Sequence, residues 1–182
     1  MESIIEYLEG NLDALVSDVE MLMGKGEAEI LAYAGGLLTA NCCAVGEVSM
    51  GSMVVSARFT VKQSYSAFEP SSLLAGGAAA KEGARFKERL QYAVCTNRTL
   101  YDLFGNSGSM TVKEVIQTTL SYVVPLVVSA TAAATPAAGF LTGIVAAALA
   151  LILKIGYAAY CSVYWEENPT VLNNFKNKGG IS

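Results

Sequence analysis

The sequence contains no histidine, and only 15% of its 182 residues carry a formal charge. The first absence removes the commonest general base, every Ser-His-Asp or Cys-His nucleophile system and every zinc site with an imidazole ligand. The second leaves little polar material to cover a globule, because charged residues make up about a quarter of an ordinary soluble domain. Cysteine is sparse too. Cys42, Cys43, Cys95 and Cys161 show no CxxC spacing, and those in apolar surroundings are expected to be small buried hydrophobes in a reducing compartment. The start, MESIIEYLEG, is acidic and amphipathic, unlike a secretory signal. A sequon at Asn97-Arg98-Thr99 is read as incidental.

What is present is apolar: 53% of the residues are hydrophobic, and the mean hydropathy is +0.41. Disorder and collagen-like order are excluded, and the length suits a single domain over 1–182 with its own core. The charges are unevenly spread. An acidic arm, 1–47, carries nine acids and one base, whereas residues 58 to 98, within a middle segment 48–110, carry seven bases and three acids. The two regions are expected to dock on each other within one chain, between copies, or with a protein partner. The bases are too dispersed, with too few aromatics among them, for a nucleic-acid groove.

Helical periodicity is strong from Ile4 to Met23, with Ile4, Ile5, Leu8, Leu12, Leu15, Val16, Val19, Leu22 and Met23 on one face and acids on the other. Gly10-Asn11 can break this helix once, and Gly24-Lys25-Gly26 ends it. Residues 27–45 read as a buried helix. Residues 53–65 alternate with period two, so at most one or two short strands are expected there. A further helix is expected over 84–104, before the loop Gly105-Asn106-Ser107-Gly108-Ser109.

Beyond it, Thr111 and Glu114 have capping-box spacing, and no charged residue occurs from Val115 to Leu153. Thr135-Pro136 divides this run into a hairpin of two helices, about 112–134 and 136–165. The expected fold is therefore mainly α: a multi-helix bundle around a hydrophobic C-terminal hairpin (111–165), followed by a polar tail (166–182).

The residues with candidate roles lie in that hairpin. Gly139, Gly143 and Ala147 recur every four residues, a row that lets another helix approach closely. Gln117, Thr118, Ser121, Pro125 and Ser129 form a polar seam, with Pro125 kinking the helix by removing a backbone hydrogen bond. Such a seam belongs against protein or water rather than acyl chains. Lys154, Tyr157, Tyr160, Tyr164 and Trp165 read as a snorkelling cation and an interfacial belt, or equally as a core edged by hydroxyls. There is no paired-carboxylate spacing, phosphate loop or metal-ligand cluster, so no catalytic residue, cofactor or metal is assigned.

Two functions are expected from this pattern. In the first, the protein is non-enzymatic and membrane-associated, its hairpin inserting into or crossing a lipid bilayer as a pore former, effector or scaffold, with both terminal segments cytoplasmic and the chain assembling as a homo-oligomer or on a protein partner. In the second, the protein is cytoplasmic, a soluble or self-assembling structural subunit with the hairpin as its core.

Overall fold

The computed structural model describes residues 2–43, 77–131 and 138–177, and every regular element among them is a helix. The alternating segment 53–65 and the Thr135-Pro136 divide lie outside the described residues. In chain order the helices are α1 (Glu2–Gly10), α2 (Leu12–Met23), α3 (Glu27–Cys43), α4 (Ala78–Cys95), α5 (Arg98–Gly105), α6 (Val112–Thr131), α7 (Ala138–Ile155), α8 (Tyr157–Glu167) and α9 (Pro169–Asn177). The mainly α bundle is thus the observed fold.

The N-terminal amphipathic run breaks where expected: Asn11 separates α1 from α2, and its side-chain amide donates to the Tyr7 carbonyl at 2.8 Å. Leu8, Leu15, Val19 and Leu22 are buried. The capping box at α6 is also formed. The Thr111 N–H donates to Glu114 Oε2 at 2.7 Å, and the Glu114 N–H donates to Thr111 Oγ1 at 3.3 Å.

The centre of the bundle is α7. From Ile144 to Ile152 every residue is fully shielded from solvent, enclosed by α2, α3, α6 and α8. An all-apolar helix is stable only where each of its faces is covered, and here α2 and α6 turn their apolar stripes inward while the largely buried α3 covers another side.

The tightest contact is the crossing of α3 and α4, where two glycines face each other. A Cβ added at Gly35 would lie 1.8 Å from the Ala79 carbonyl oxygen, and one added at Gly83 would lie 2.2 Å from the Leu31 carbonyl oxygen. The two backbones therefore touch with no side chain between them. This is the close packing that small residues permit, in a pair of helices that the sequence pattern did not single out for it.

Three boundaries differ from expectation. The helix expected over 136–165 ends at Ile155, where Gly156 adopts φ +86° and the chain turns by 87° into α8. A positive φ suits glycine and strains other residues, so this one residue converts a long helix into two short ones. The region 84–104 is likewise two helices, because Asn97 caps α5 by accepting from the Leu100 N–H at 3.0 Å. Finally, the polar tail contains α9, which starts on Pro169; proline suits the first helical position, whose N–H would be unpaired anyway.

Candidate functional site

The hairpin of α6 and α7 and the aromatic cluster at its base are the features around which the candidate residues gather. On the glycine row, Gly143 faces α3 closely: an added Cβ would lie 2.7 Å from both Leu37 Cδ1 and the Tyr33 hydroxyl. Ala147 is fully buried on the same helix. Gly139 lies in the first turn of α7.

The seam residues of α6 face outward. Gln117, Thr118, Ser121 and Ser129 are exposed and Pro125 is half-buried, while Ile116, Leu120, Val123, Val124 and Val127 on the opposite side are buried. Two of the hydroxyls are satisfied by their own helix: Thr118 donates to the Glu114 carbonyl at 2.9 Å, and Ser129 to the Leu126 carbonyl at 2.7 Å. Tyr122 shares this outer side and is 44% exposed. From Val115 to Thr131 the exposed surface of α6 is therefore polar but carries no charge.

Lys154 is exposed and donates to the Met23 carbonyl at 2.8 Å, so a cation sits at the C-terminal end of α2, where the helix dipole favours it. The aromatic residues beyond it fold back on protein. Tyr157 stacks on Phe104 with ring centroids 4.7 Å apart, and Tyr101 meets Trp165 edge-on at 5.8 Å and Phe175 at 5.1 Å. The Tyr157 hydroxyl donates to the Val94 carbonyl at 3.1 Å, and the Trp165 indole donates to the Cys95 carbonyl at 3.0 Å. Two aromatic side chains of α8 thus donate to carbonyls at the C-terminal end of α4, Trp165 to Cys95 and Tyr157 to Val94, which also accepts from the Asn97 N–H at 3.3 Å. Tyr164 is half-buried, edge-on to the exposed Tyr92 at 6.2 Å.

Burial pushes the hydroxyls of Tyr157 and Tyr160 well above the ordinary tyrosine range, with Tyr101 and Asp102 adding to the effect at Tyr157 and Glu27 at Tyr160. Among the described residues, the Tyr160 hydroxyl is buried without a hydrogen-bond partner.

Beneath these rings lies a bond that the sequence did not reveal. Cys95 and Cys161 form a disulfide, both residues fully buried, joining the last residue of α4 to the middle of α8. Gln91, one turn earlier on α4, donates to the Tyr160 carbonyl at 3.1 Å. The expectation of separate buried thiols is thereby replaced for this pair; sixty-six positions separate the two cysteines, and only the turn at Gly156 brings them together.

Among the described residues, Glu27 of the acidic arm pairs with Lys87 of the basic segment at 2.5 Å, and Asp13 pairs with Lys113 at the start of α6 at 2.6 Å. Both are partly or largely exposed, where such a pair contributes about 0–1 kcal/mol. A cleft of about 870 Å³ opens at the hairpin base, lined by Met23, Phe104, Val115, Ile152, Tyr157 and Trp165 among others. Among the described residues no three His, Cys, Asp or Glu side chains gather as metal ligands.

By geometry, then, the chain is a helical bundle that encloses an apolar helix and closes the base of its hairpin with a disulfide. No family model matches it, and neither does any curated protein or solved structure.

Proposed function

We propose that this is a non-enzymatic, membrane-associated protein that stores a hydrophobic hairpin, α6–α7, and gives it to a lipid bilayer when the covering helices loosen. The observation that carries this reading is the outer side of α6. A helix face that serves only water ordinarily mixes charged with polar residues, whereas this one exposes Gln117, Thr118, Ser121, Tyr122 and Ser129 without a charge, and two of its hydroxyls are bonded to its own carbonyls. Such a face suits water outside a membrane and, within one, a protein-lined or water-filled seam between copies rather than acyl chains. Among the described residues no single helix is long and apolar enough to cross a membrane, and α7 followed by α8 passes only as a pair bent by 87°. The reading therefore requires rearrangement, with a pore, effector or scaffold role following from how many copies assemble.

The complete burial of α7 from Ile144 to Ile152 favours a second reading, a soluble or self-assembling structural protein in which the hairpin never leaves the core. One substitution separates the two. Ser121 is exposed, so Ser121→Asp should change folding stability by no more than about 0.5 kcal/mol. In a bilayer the same aspartate costs about 2.5–3.5 kcal/mol at mid-helix, roughly a hundredfold in partitioning. Flotation with vesicles containing anionic phospholipid, at neutral pH and after mild acidification, measures it. Loss of binding with an unchanged fold supports insertion; wild-type protein that floats under neither condition refutes it.

A further inference from the structure

The stretch between Cys95 and Cys161 contains α5, α6 and α7 entire, so the disulfide makes the hydrophobic hairpin a covalently closed loop. The two ends of the hairpin are neighbours at that base, where Val112 and Val115 of α6 line the same cleft as Ile152 and Leu153 of α7. Two segments compete as the membrane-entering unit: the α6–α7 hairpin, and α7 straightened into α8, which together have the length and composition of one span.

We propose that the Cys95–Cys161 disulfide decides between them: the α6–α7 hairpin enters a bilayer as a closed loop, and α8 stays outside with α4. The inference rests on the membrane reading above and specifies the segment that reading delivers. Were α8 to continue α7 into lipid, Cys161 would lie six residues past Ile155, about 9 Å further along the helix axis. Cys95 would have to follow it, drawing in Arg98, which is only three residues away and paired with Asp102 at 3.0 Å. Charged groups are costly at that depth. Three hydrogen bonds hold α8 to α4 as well, from Tyr157 to Val94, from Trp165 to Cys95 and from Gln91 to Tyr160. The hairpin itself meets no such obstacle, because its charges lie at its base: Lys113 and Glu114 at the start of α6 and Lys154 at the end of α7.

Trypsin provides the test, since Lys113 and Lys154 bracket a stretch free of other cleavage sites. The full, unreduced chain is bound to anionic phospholipid vesicles and digested from outside, and membrane and supernatant are analysed by mass spectrometry with and without reduction. The expected result is a membrane-held fragment 114–154, with peptide 90–98 released while joined to 155–176 and separating on reduction. A membrane-held fragment that extends beyond residue 155 overturns the inference and leaves the membrane reading intact. Failure to find 90–98 joined to 155–176 in the digest of the soluble protein overturns it as well. A crosslinked chain that leaves no membrane-held fragment overturns the membrane reading and this inference with it.

Discussion

Replacing Gly35 with alanine inserts one methyl group where α3 and α4 touch backbone to backbone. The new carbon would stand 1.8 Å from the Ala79 carbonyl oxygen and 2.6 Å from the Gly83 nitrogen, against an ordinary contact of at least 3.4 Å. Neither obstructing atom is a side-chain end that can swing aside, so the helices must part by roughly 1.5 Å in a close-packed interior. Alanine is the better helix former by about 1 kcal/mol, whereas overpacking of this kind costs about 1–3 kcal/mol and occasionally more. Because α3 also packs on α7, the displacement spreads to the central helix, and we expect the upper end of that range to outweigh the propensity gain, leaving a net loss of about 2 kcal/mol. Gly10→Ala is the internal control, since no atom lies within 4 Å of its added carbon; it should be neutral or slightly stabilising. Gly143→Ala should fall between the two, because its obstacles, Leu37 Cδ1 and the Tyr33 hydroxyl, are side-chain ends, though buried ones. Denaturant unfolding followed by far-UV circular dichroism gives all three as midpoint shifts at constant slope. A Gly35→Ala protein as stable as the Gly10→Ala control would refute the close crossing.

Reducing the disulfide, or making Cys161→Ser, should lower stability by up to about 4 kcal/mol on the chain-entropy argument for a loop of this length, read as an earlier unfolding midpoint with reductant than without. Tyr157 and Tyr160 have folded-state pKa values raised by burial. Their contribution is complete below the unfolded tyrosine value of about 10 and is lost as pH rises from there toward the folded values. Alkaline titration of tyrosinate absorbance should therefore show Tyr157 and Tyr160 ionising late and together with unfolding; smooth independent titration of all nine tyrosines would contradict their burial. Glu114 behaves in the opposite sense: hydrogen bonds from the Thr111 backbone and then its hydroxyl lower its pKa, so the cap is complete above the ordinary carboxylate range and weakens as pH falls through the depressed value. Thr111→Ala should shrink that acid-side dependence and cost about 1 kcal/mol, measured as thermal midpoints across mildly acidic buffers.

Much of this architecture was legible in the sequence because it rests on local rules. The 3.6-residue periodicity of Leu8, Leu15, Val19 and Leu22, the Gly10-Asn11 break and the Thr111–Glu114 box each act within a few residues, and each is present in the structure. What escaped was set by tertiary contact or by one residue in a continuous pattern. The apolar stripe runs on through Gly156, so periodicity carried the helix past the residue at which the backbone turns. In the sequence Asn97 reads only as part of a sequon and Pro169 lies unremarked in the polar tail, although asparagine at a cap and proline at a first helical position both start helices. The Cys95–Cys161 pair and the Gly35–Gly83 crossing join elements that sequence spacing does not connect. Among the candidate site residues, the outward set on α6 has the polar, uncharged face its composition implied, whereas the tyrosines and tryptophan of α8 gained a role as donors to α4 that depends wholly on the turn before them.

The closed loop also governs how the molecule responds to being cut. A protease that severs the chain anywhere between residues 96 and 160 produces two polypeptides that remain one molecule, held at the hairpin base by the single covalent bond between Cys95 and Cys161. A nicked chain of this kind keeps its apparent size until thiols are added, and the ends freed by the nick lie within the closed loop of α5, the hairpin and the start of α8.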